Sequence, residues 1–104
     1  MVKKKLPVKW DKEALEDLKD IYSYIKKESP QGAEAVRKEF IRLAGTLNSL
    51  PEKFPKEPLL EDEGNFRFIP KWDYKLIYEV TSKEIIIAAI FHTSQHPSIL
   101  RKKK

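Results

Sequence analysis

Residues 65–97, NFRFIPKWDYKLIYEVTSKEIIIAAIFHTSQHP, constrain the fold of this chain most, because no other stretch is continuously rich in β-branched and aromatic residues. Apolar segments at 66–69, 74–80 and 85–91 are separated by the short polar links 70–73 and 81–84. This spacing is typical of an antiparallel meander of three strands. One face of such a sheet has to be buried, and the other face is where we expect any chemistry to lie.

Alternation along the strands assigns side chains to faces: Arg67 and Ile69 share the face opposite to that of the two flanking phenylalanines. The last strand is apolar on both faces, so we expect it to be central, because an edge strand of that composition would invite aggregation. Its second neighbour is then residues 6–10, LPVKW, and Pro7 places that segment at an edge because proline has no N–H to donate. The predicted order is the first strand, the last, the middle one, and the strand at 65–70.

Two amphipathic helices are predicted between the first strand and the meander. Asp11 is a candidate N-cap, and apolar residues then recur every three or four positions over residues 14–25. Ser29 and the proline after it end this helix and begin a second one, whose apolar seam covers residues 33–50. Gly45 either permits a close packing contact or weakens this helix by about 1 kcal/mol. The short connection between the helices predicts a hairpin.

The chain as a whole is therefore expected to be a two-layer α/β (α+β) domain over residues 1–104, with the order β-α-α-β-β-β and the hairpin packed on a mainly antiparallel sheet. Residues 51–64, PEKFPKEPLLEDEG, are proline-rich and polar, which predicts a linker between the two layers. Leu59 and Leu60 in it either form a very short strand or plug the core. The acidic residues at 61–63 are interpreted as a solvated loop.

Composition narrows the function classes. The 104 residues carry a net charge of +5, no cysteine and two histidines, so we expect no disulfide, no metal and no cofactor, and a reducing, cytoplasmic location. No apolar run is long enough for a membrane span. The basic tails at 1–5 and 101–104 hold seven cationic residues, which leaves 5 − 7 = −2 for the rest. These tails are interpreted either as solvated ends or as a contact for an acidic partner.

The order of elements, together with the segments VKWDKEALEDLKDIYSYI, LIYEV and IIIAAIFHTSQHP, resembles the RelE/ParE superfamily of type II toxin–antitoxin toxins, and is closer to the ParE-like (plasmid stabilisation) branch. The resemblance extends from about residue 8 to residue 97. It implies a two-layer fold, a cognate antitoxin that wraps the toxin, and growth inhibition by one of two routes. Endonuclease members cut mRNA on the ribosome, whereas ParE-like members inhibit DNA gyrase.

Metal-free RNA cleavage requires an acid, a base and cations around the phosphate. Endonuclease relatives place an arginine where this chain has Lys75, and supply histidine, tyrosine or arginine where it reads TSQ at 93–95. Under the endonuclease interpretation the catalytic residues are Arg67, Lys75 and His92. Two of them also have a structural interpretation: Arg67 as a cross-strand partner of Glu79, and His92 as a hydrogen-bonded residue at the end of a strand.

Lys71 and His96 are two further candidate cations for this site, and His96 is interpreted as a surface residue. Because the acid–base set is incomplete, the leading hypothesis is a non-enzymatic toxin that binds DNA gyrase. The alternative is a metal-independent, ribosome-dependent mRNA endonuclease whose partners are the ribosome and mRNA. A third hypothesis is a non-toxic binding protein with the same fold. Assembly as a homo-oligomer, or as a hetero-oligomer with the antitoxin, is compatible with the sequence.

Overall fold

The computed structural model describes residues 5–94 and has helices on one side of a four-stranded sheet. The elements in chain order are β1 (Val8–Trp10), α1 (Lys12–Lys26), α2 (Pro30–Gly45), two short 3-10 helices (Thr46–Asn48 and Pro58–Leu60), β2 (Phe66–Lys71), β3 (Tyr74–Val80) and β4 (Ile85–His92). The predicted β-α-α-β-β-β order and the predicted α+β class are confirmed. The basic tails lie outside the described residues except for Lys5.

The sheet order is β1-β4-β3-β2, as predicted, with β4 in the centre. β1 pairs with β4 in parallel and aligns Lys9 with Ile86, whereas the other neighbouring strands are antiparallel. Ile85 and Ile87 of β4 have no exposed surface. Because β4 is paired along both edges and packed on both faces, most of its apolar residues are buried, and Ile86 and Ala88 keep only partial exposure.

Local sequence signals begin both helices where they were expected. The Asp11 side chain accepts a hydrogen bond from the Lys12 N–H, and the Ser29 hydroxyl accepts one from the Gly32 N–H at 2.9 Å. The predicted apolar seams were wrong at two positions, since Leu15 is 51% exposed and Leu50 is 55% exposed. The seam of α2 fails at Leu50 because the helix ends at Gly45 and gives way to a 3-10 turn.

The sheet separates two apolar clusters. On the helix side, Phe40 and Ala44 of α2 pack with β-strand residues including Leu76, Tyr78 and Ile87. On the opposite side, Leu60 of the linker packs with a smaller set of strand residues, among them Phe66, Ile77, Ala89 and Phe91. The linker reaches that face because it pairs with the β2 edge: the Glu57 N–H donates to the Phe66 carbonyl at 2.8 Å. The face expected to be open is therefore partly covered, and Leu60 acts as the predicted plug.

A β-bulge in β4 determines which face its last residues occupy. Ile77 is opposite Ala89, but its neighbour Tyr78 is opposite Ile87, so Ala88 is an extra residue. Beyond this bulge the alternation is reversed relative to the start of the strand. His92, which is paired with Tyr74, therefore lies on the helix side of the sheet instead of the face it would occupy in a regular strand.

Candidate functional site

His92 lies in a groove of about 440 Å³ between α1 and the ends of β3 and β4. Acidic residues of α1 form one wall and aromatic rings form much of the rest. The residues that determine its chemistry are Asp17, Asp20, Tyr24, Tyr74, His92 and Ser94, and Ile21 and Ile90 add apolar surface. The bulge in β4 brings His92 to this groove, and the packing of α1 on β4 brings the two aspartates.

The imidazole of His92 is held by local contacts. Its ring packs edge-on against Tyr74, with 4.9 Å between ring centroids. Its Nδ1 accepts a hydrogen bond from the Ser94 N–H at 3.0 Å, and the Ser94 hydroxyl oxygen lies 2.6 Å from the same nitrogen. An Nδ1 that accepts from a backbone N–H carries no proton in this arrangement, which leaves Nε2 as the protonated nitrogen of the neutral ring.

The aromatic wall continues from the groove to the tip of the β2–β3 hairpin. Tyr74 and Trp72 both pack edge-on against Phe40 at 5.7 Å, and burial raises the pKa of the Tyr74 hydroxyl. Trp72 is 57% exposed and has a backbone φ of 52°, in the left-handed region that residues other than glycine and asparagine rarely adopt. The Lys71 ammonium lies over its indole ring, 4.9 Å from the centroid.

The acidic side of the groove is fixed by a contact between layers. Asp17 Oδ2 accepts a hydrogen bond from the Ile90 N–H at 3.0 Å, which ties α1 to the centre of the sheet. Asp20 lies three residues further along α1, at the exposed rim. The groove is therefore acidic although the chain has a net charge of +5.

Arg67 is not at this groove. It pairs with Tyr78 across the β2–β3 ladder, four residues along β3 from the partner of His92. Its Nη1 donates to the Phe54 carbonyl at 2.6 Å and its Nη2 lies 3.5 Å from the Glu52 carboxylate, so the guanidinium holds the linker. The proposed cross-strand pair of Arg67 with Glu79 was wrong, because Glu79 is opposite Phe66 instead.

Lys75 lies on the other face of the sheet from His92. Its ammonium is 3.0 Å from Glu57 Oε1 and 4.3 Å from the centroid of the Phe68 ring. Glu57 is completely buried, and its second carboxylate oxygen accepts from the Leu59 N–H at 2.9 Å. Lys75 therefore neutralises a buried acid that caps the 3-10 helix of the linker.

The three residues expected to form an endonuclease site are thus not brought together, since they lie in three separate places on two faces. Lys71 pairs with Glu39 at 3.2 Å, and His96 lies outside the described residues. Sequence reasoning missed Glu57, Asp17 and Asp20, because acids in a polar linker and on a helix surface look solvated. A φ of 52° at Trp72 was also unforeseen, although the two-residue link with Asp73 is a hairpin signal.

Within residues 5–94, neither helix is long and apolar enough to cross a membrane. In the same part of the chain, no three histidine, aspartate or glutamate side chains are grouped as metal ligands.

The protein is a helix hairpin packed on a mixed four-stranded sheet, and solved structures with the same architecture exist. A chain from the solved structure described as "Chromosomal ParDE TA system from P. aeruginosa" matches with a TM-score of 0.70 and 24% identity, over 86% of this chain and 97% of the other. At this identity the likeness establishes the fold, which is ParE-like. No curated protein gives a significant match to the sequence.

The sequence profile described as "ParE toxin of type II toxin-antitoxin system, parDE" matches residues 8–97. The chain therefore belongs to the ParE toxin family of type II toxin–antitoxin systems, within the RelE/ParE superfamily. This membership confirms the resemblance drawn from the sequence and implies an antitoxin partner.

Proposed function

We propose that this toxin inhibits growth by binding DNA gyrase and that a cognate antitoxin neutralises it. The observation that carries the proposal is the acidic and aromatic setting of His92. RNA cleavage requires cations around a phosphate, but the groove that His92 lines is also lined by Asp17 and Asp20, whose carboxylates repel a phosphate backbone. Gyrase as the specific target is supported by family membership.

The placement of the candidate cations supports a binding mechanism over an enzymatic one. Arg67 is bonded to linker carbonyls and Lys75 to the buried Glu57, so both have structural partners. Effective catalysis needs reacting groups that converge on one atom. A metal-independent mRNA endonuclease that uses Arg67, Lys75 and His92 would need these groups to move together from separate places on the sheet.

A supercoiling assay with purified gyrase tests the proposal directly. We expect full-length toxin to block supercoiling of relaxed plasmid, and we expect addition of the antitoxin encoded next to it to restore the reaction. Lys83→Ala serves as a control, because Lys83 is exposed in the β3–β4 link, at the opposite end of the β3–β4 ladder from the groove residues Tyr74 and His92. Undiminished supercoiling at a large molar excess of toxin that still arrests growth would refute gyrase as the target.

Primer extension on mRNA from induced cells separates the two mechanisms. The gyrase proposal predicts no new RNA ends at early times after induction. Cuts linked to codons that disappear in His92→Ala would instead establish the ribosome and mRNA as partners. Normal growth after expression of soluble toxin without antitoxin would support the third hypothesis, a binding protein with no toxic activity.

A further inference from the structure

We propose that the groove beside His92 is a docking site for an arginine side chain presented by a segment of a partner protein. The first argument is charge complementarity. Asp17 and Asp20 stand one turn apart on α1 and line the same groove. Asp17 already accepts a hydrogen bond from the Ile90 N–H, so the exposed Asp20 carboxylate is the group expected to pair with a cationic side chain. This acidic surface contrasts with the net charge of +5 for the chain.

The shape of the groove favours a single long side chain. Its volume of about 440 Å³ is at the small end of the range for ligand sites and is too small for a packed helix. Tyr24 and Tyr74 provide flat aromatic surface beside the carboxylates. A guanidinium can stack on an aromatic ring while its N–H groups donate to carboxylate oxygens, and an ammonium cannot use both contacts in the same way.

The surroundings of the groove suit a protein segment better than a small free cation. Tyr24 is 73% exposed and Trp72 is 57% exposed, and Trp72 joins the groove wall through Phe40 and Tyr74. Exposed aromatic residues at the edge of a pocket can cover apolar neighbours of an inserted side chain. The partner segment is therefore expected to place an apolar residue next to its arginine.

The inference goes beyond the proposed function, because it specifies a binding chemistry and does not depend on gyrase being the target. It is tested with two peptides, acetyl-Ala-Arg-Leu-amide and the same peptide with citrulline, a neutral analogue of similar shape. Full-length toxin is titrated with each, and binding is followed by the backbone amide shifts of Ile90 and Ser94 and by the indole N–H shift of Trp72. We expect saturable binding of the arginine peptide, at least tenfold tighter than that of the citrulline peptide.

Matched variants locate the binding site. Asp20→Asn is expected to weaken arginine-peptide binding at least fivefold while leaving citrulline-peptide binding unchanged, since Asp20 is an exposed rim residue. Glu16→Gln removes the same charge from an exposed position of α1 that does not line the groove, so it is expected to bind like the unsubstituted chain. Circular dichroism of both variants shows whether α1 is intact.

Equal binding of the two peptides, or equal weakening by Asp20→Asn and Glu16→Gln, would overturn the proposal, because either result would mean that no specific charge pairing occurs in the groove. The proposal would also be overturned if replacing the four residues 101–104 by serine in the full chain changed the groove signals and increased peptide affinity. That outcome would make the cationic terminus of the chain itself the occupant.

Discussion

Glu57 shows how one side chain can hold the linker on the sheet. It is fully buried, it accepts a hydrogen bond from the Leu59 N–H, and it pairs with the Lys75 ammonium at 3.0 Å. A buried carboxylate without a partner is costly, so the lysine secures the position of residues 57–60. Lys75, a candidate catalytic cation under the endonuclease interpretation, therefore has a partner within the fold.

Lys75→Ala is predicted to destabilise the fold by about 3 kcal/mol, because it leaves Glu57 buried without its ion pair. The value is at the low end of the range for buried pairs since 24% of the Lys75 side chain is exposed. Urea denaturation measures it. The double variant Lys75→Ala/Glu57→Gln should regain part of the loss, and Lys83→Ala should change stability by less than about 0.5 kcal/mol. A small effect of Lys75→Ala would contradict this role.

Tyr78 gives the fold a sensitivity to alkaline pH. Its side chain is completely buried, its hydroxyl donates to the Pro51 carbonyl at 2.8 Å, and burial raises its pKa to about 12 from the ordinary value of 10.0. A raised pKa means that the folded state binds the phenolic proton more tightly than the unfolded state. Its contribution is therefore complete below pH 10 and is lost as the pH rises towards about 12.

We predict that the free energy of unfolding falls by about 2 to 3 kcal/mol between pH 10 and pH 12 through Tyr78, and that this part of the loss is absent in Tyr78→Phe. At pH 7 the variant should be less stable by about 1 kcal/mol, because the Pro51 carbonyl loses its donor. Denaturation curves at several pH values provide the measurement. Tyr24→Phe, at an exposed position, should keep the full alkaline loss, and an identical slope in Tyr78→Phe would contradict the assignment.

The reactive side chains could be named from the sequence, but their partners could not. Arg67 bonds to a carbonyl 13 residues away and Lys75 to an acid 18 residues away, both in the linker. Local patterns carry no information about such contacts, because they depend on how the linker folds back on β2. Asp17 was missed for the same reason, since its hydrogen bond to Ile90 spans 73 residues.

The two helices and four strands were predictable because their signals are local: caps at Asp11 and Ser29, a period of three to four in the helices, and alternation in the strands. The bulge in β4 was not predictable. With apolar residues on both faces, the strand gives no sign of where its alternation reverses. This one extra residue determines that His92 and Lys75 lie on opposite faces of the sheet. The geometry of the site could therefore not be predicted from the sequence.

Substitutions at two glycines are predicted to change stability in opposite directions: Gly45 at the end of α2, and Gly64 in the linker just before β2. A Cβ added at Gly45 would meet no neighbouring side chain or packed element within 4 Å and its φ is −64°, so of the two interpretations of Gly45 the close packing contact was wrong. Gly45→Ala should stabilise the protein by about 0.4 to 1 kcal/mol, because alanine restricts the unfolded chain. Gly64 has a φ of 148° and a Cβ there would lie 2.8 Å from Glu79 Oε2.

Gly64→Ala should therefore destabilise the fold by at least about 1 kcal/mol, because alanine is strained at that backbone conformation. Thermal unfolding of the two variants, followed by circular dichroism under the same conditions, should move the midpoint in opposite directions. A decrease in both would show that Gly45 has a contact that its geometry does not reveal.

Protection of the central strand β4 depends on the shortest strand of the sheet, β1. β1 has three residues, yet it covers the edge of β4: the Ile85 N–H donates to the Pro7 carbonyl at 2.8 Å and the Asp11 N–H donates to the Ile87 carbonyl at 2.9 Å. In a strand, the backbone N–H and C=O groups of every second residue point to the same neighbouring strand. Lys9 lies midway between Pro7 and Asp11, so its backbone groups also point to β4, whereas its side chain is exposed.

Lys9→Pro is predicted to destabilise the protein by about 3 kcal/mol and to promote aggregation, because it removes a ladder donor and leaves the apolar edge of β4 unprotected. Lys9→Ser removes the same side chain but keeps the N–H, and should behave like the unsubstituted chain. Denaturation and light scattering distinguish the two. Equal solubility and stability of both variants would mean that β1 is not needed to protect β4.

The pairing of β1 with β4 also sets the order of events during synthesis. β1 leaves the ribosome first among the described strands, but its partner is the last of them to be made. The sheet can close only after β4 has emerged, so a growing chain cannot display the finished groove between α1 and β4. A cell therefore meets this toxin in its folded form only once translation has passed the final strand, so an antitoxin that binds the folded groove can act only from that point.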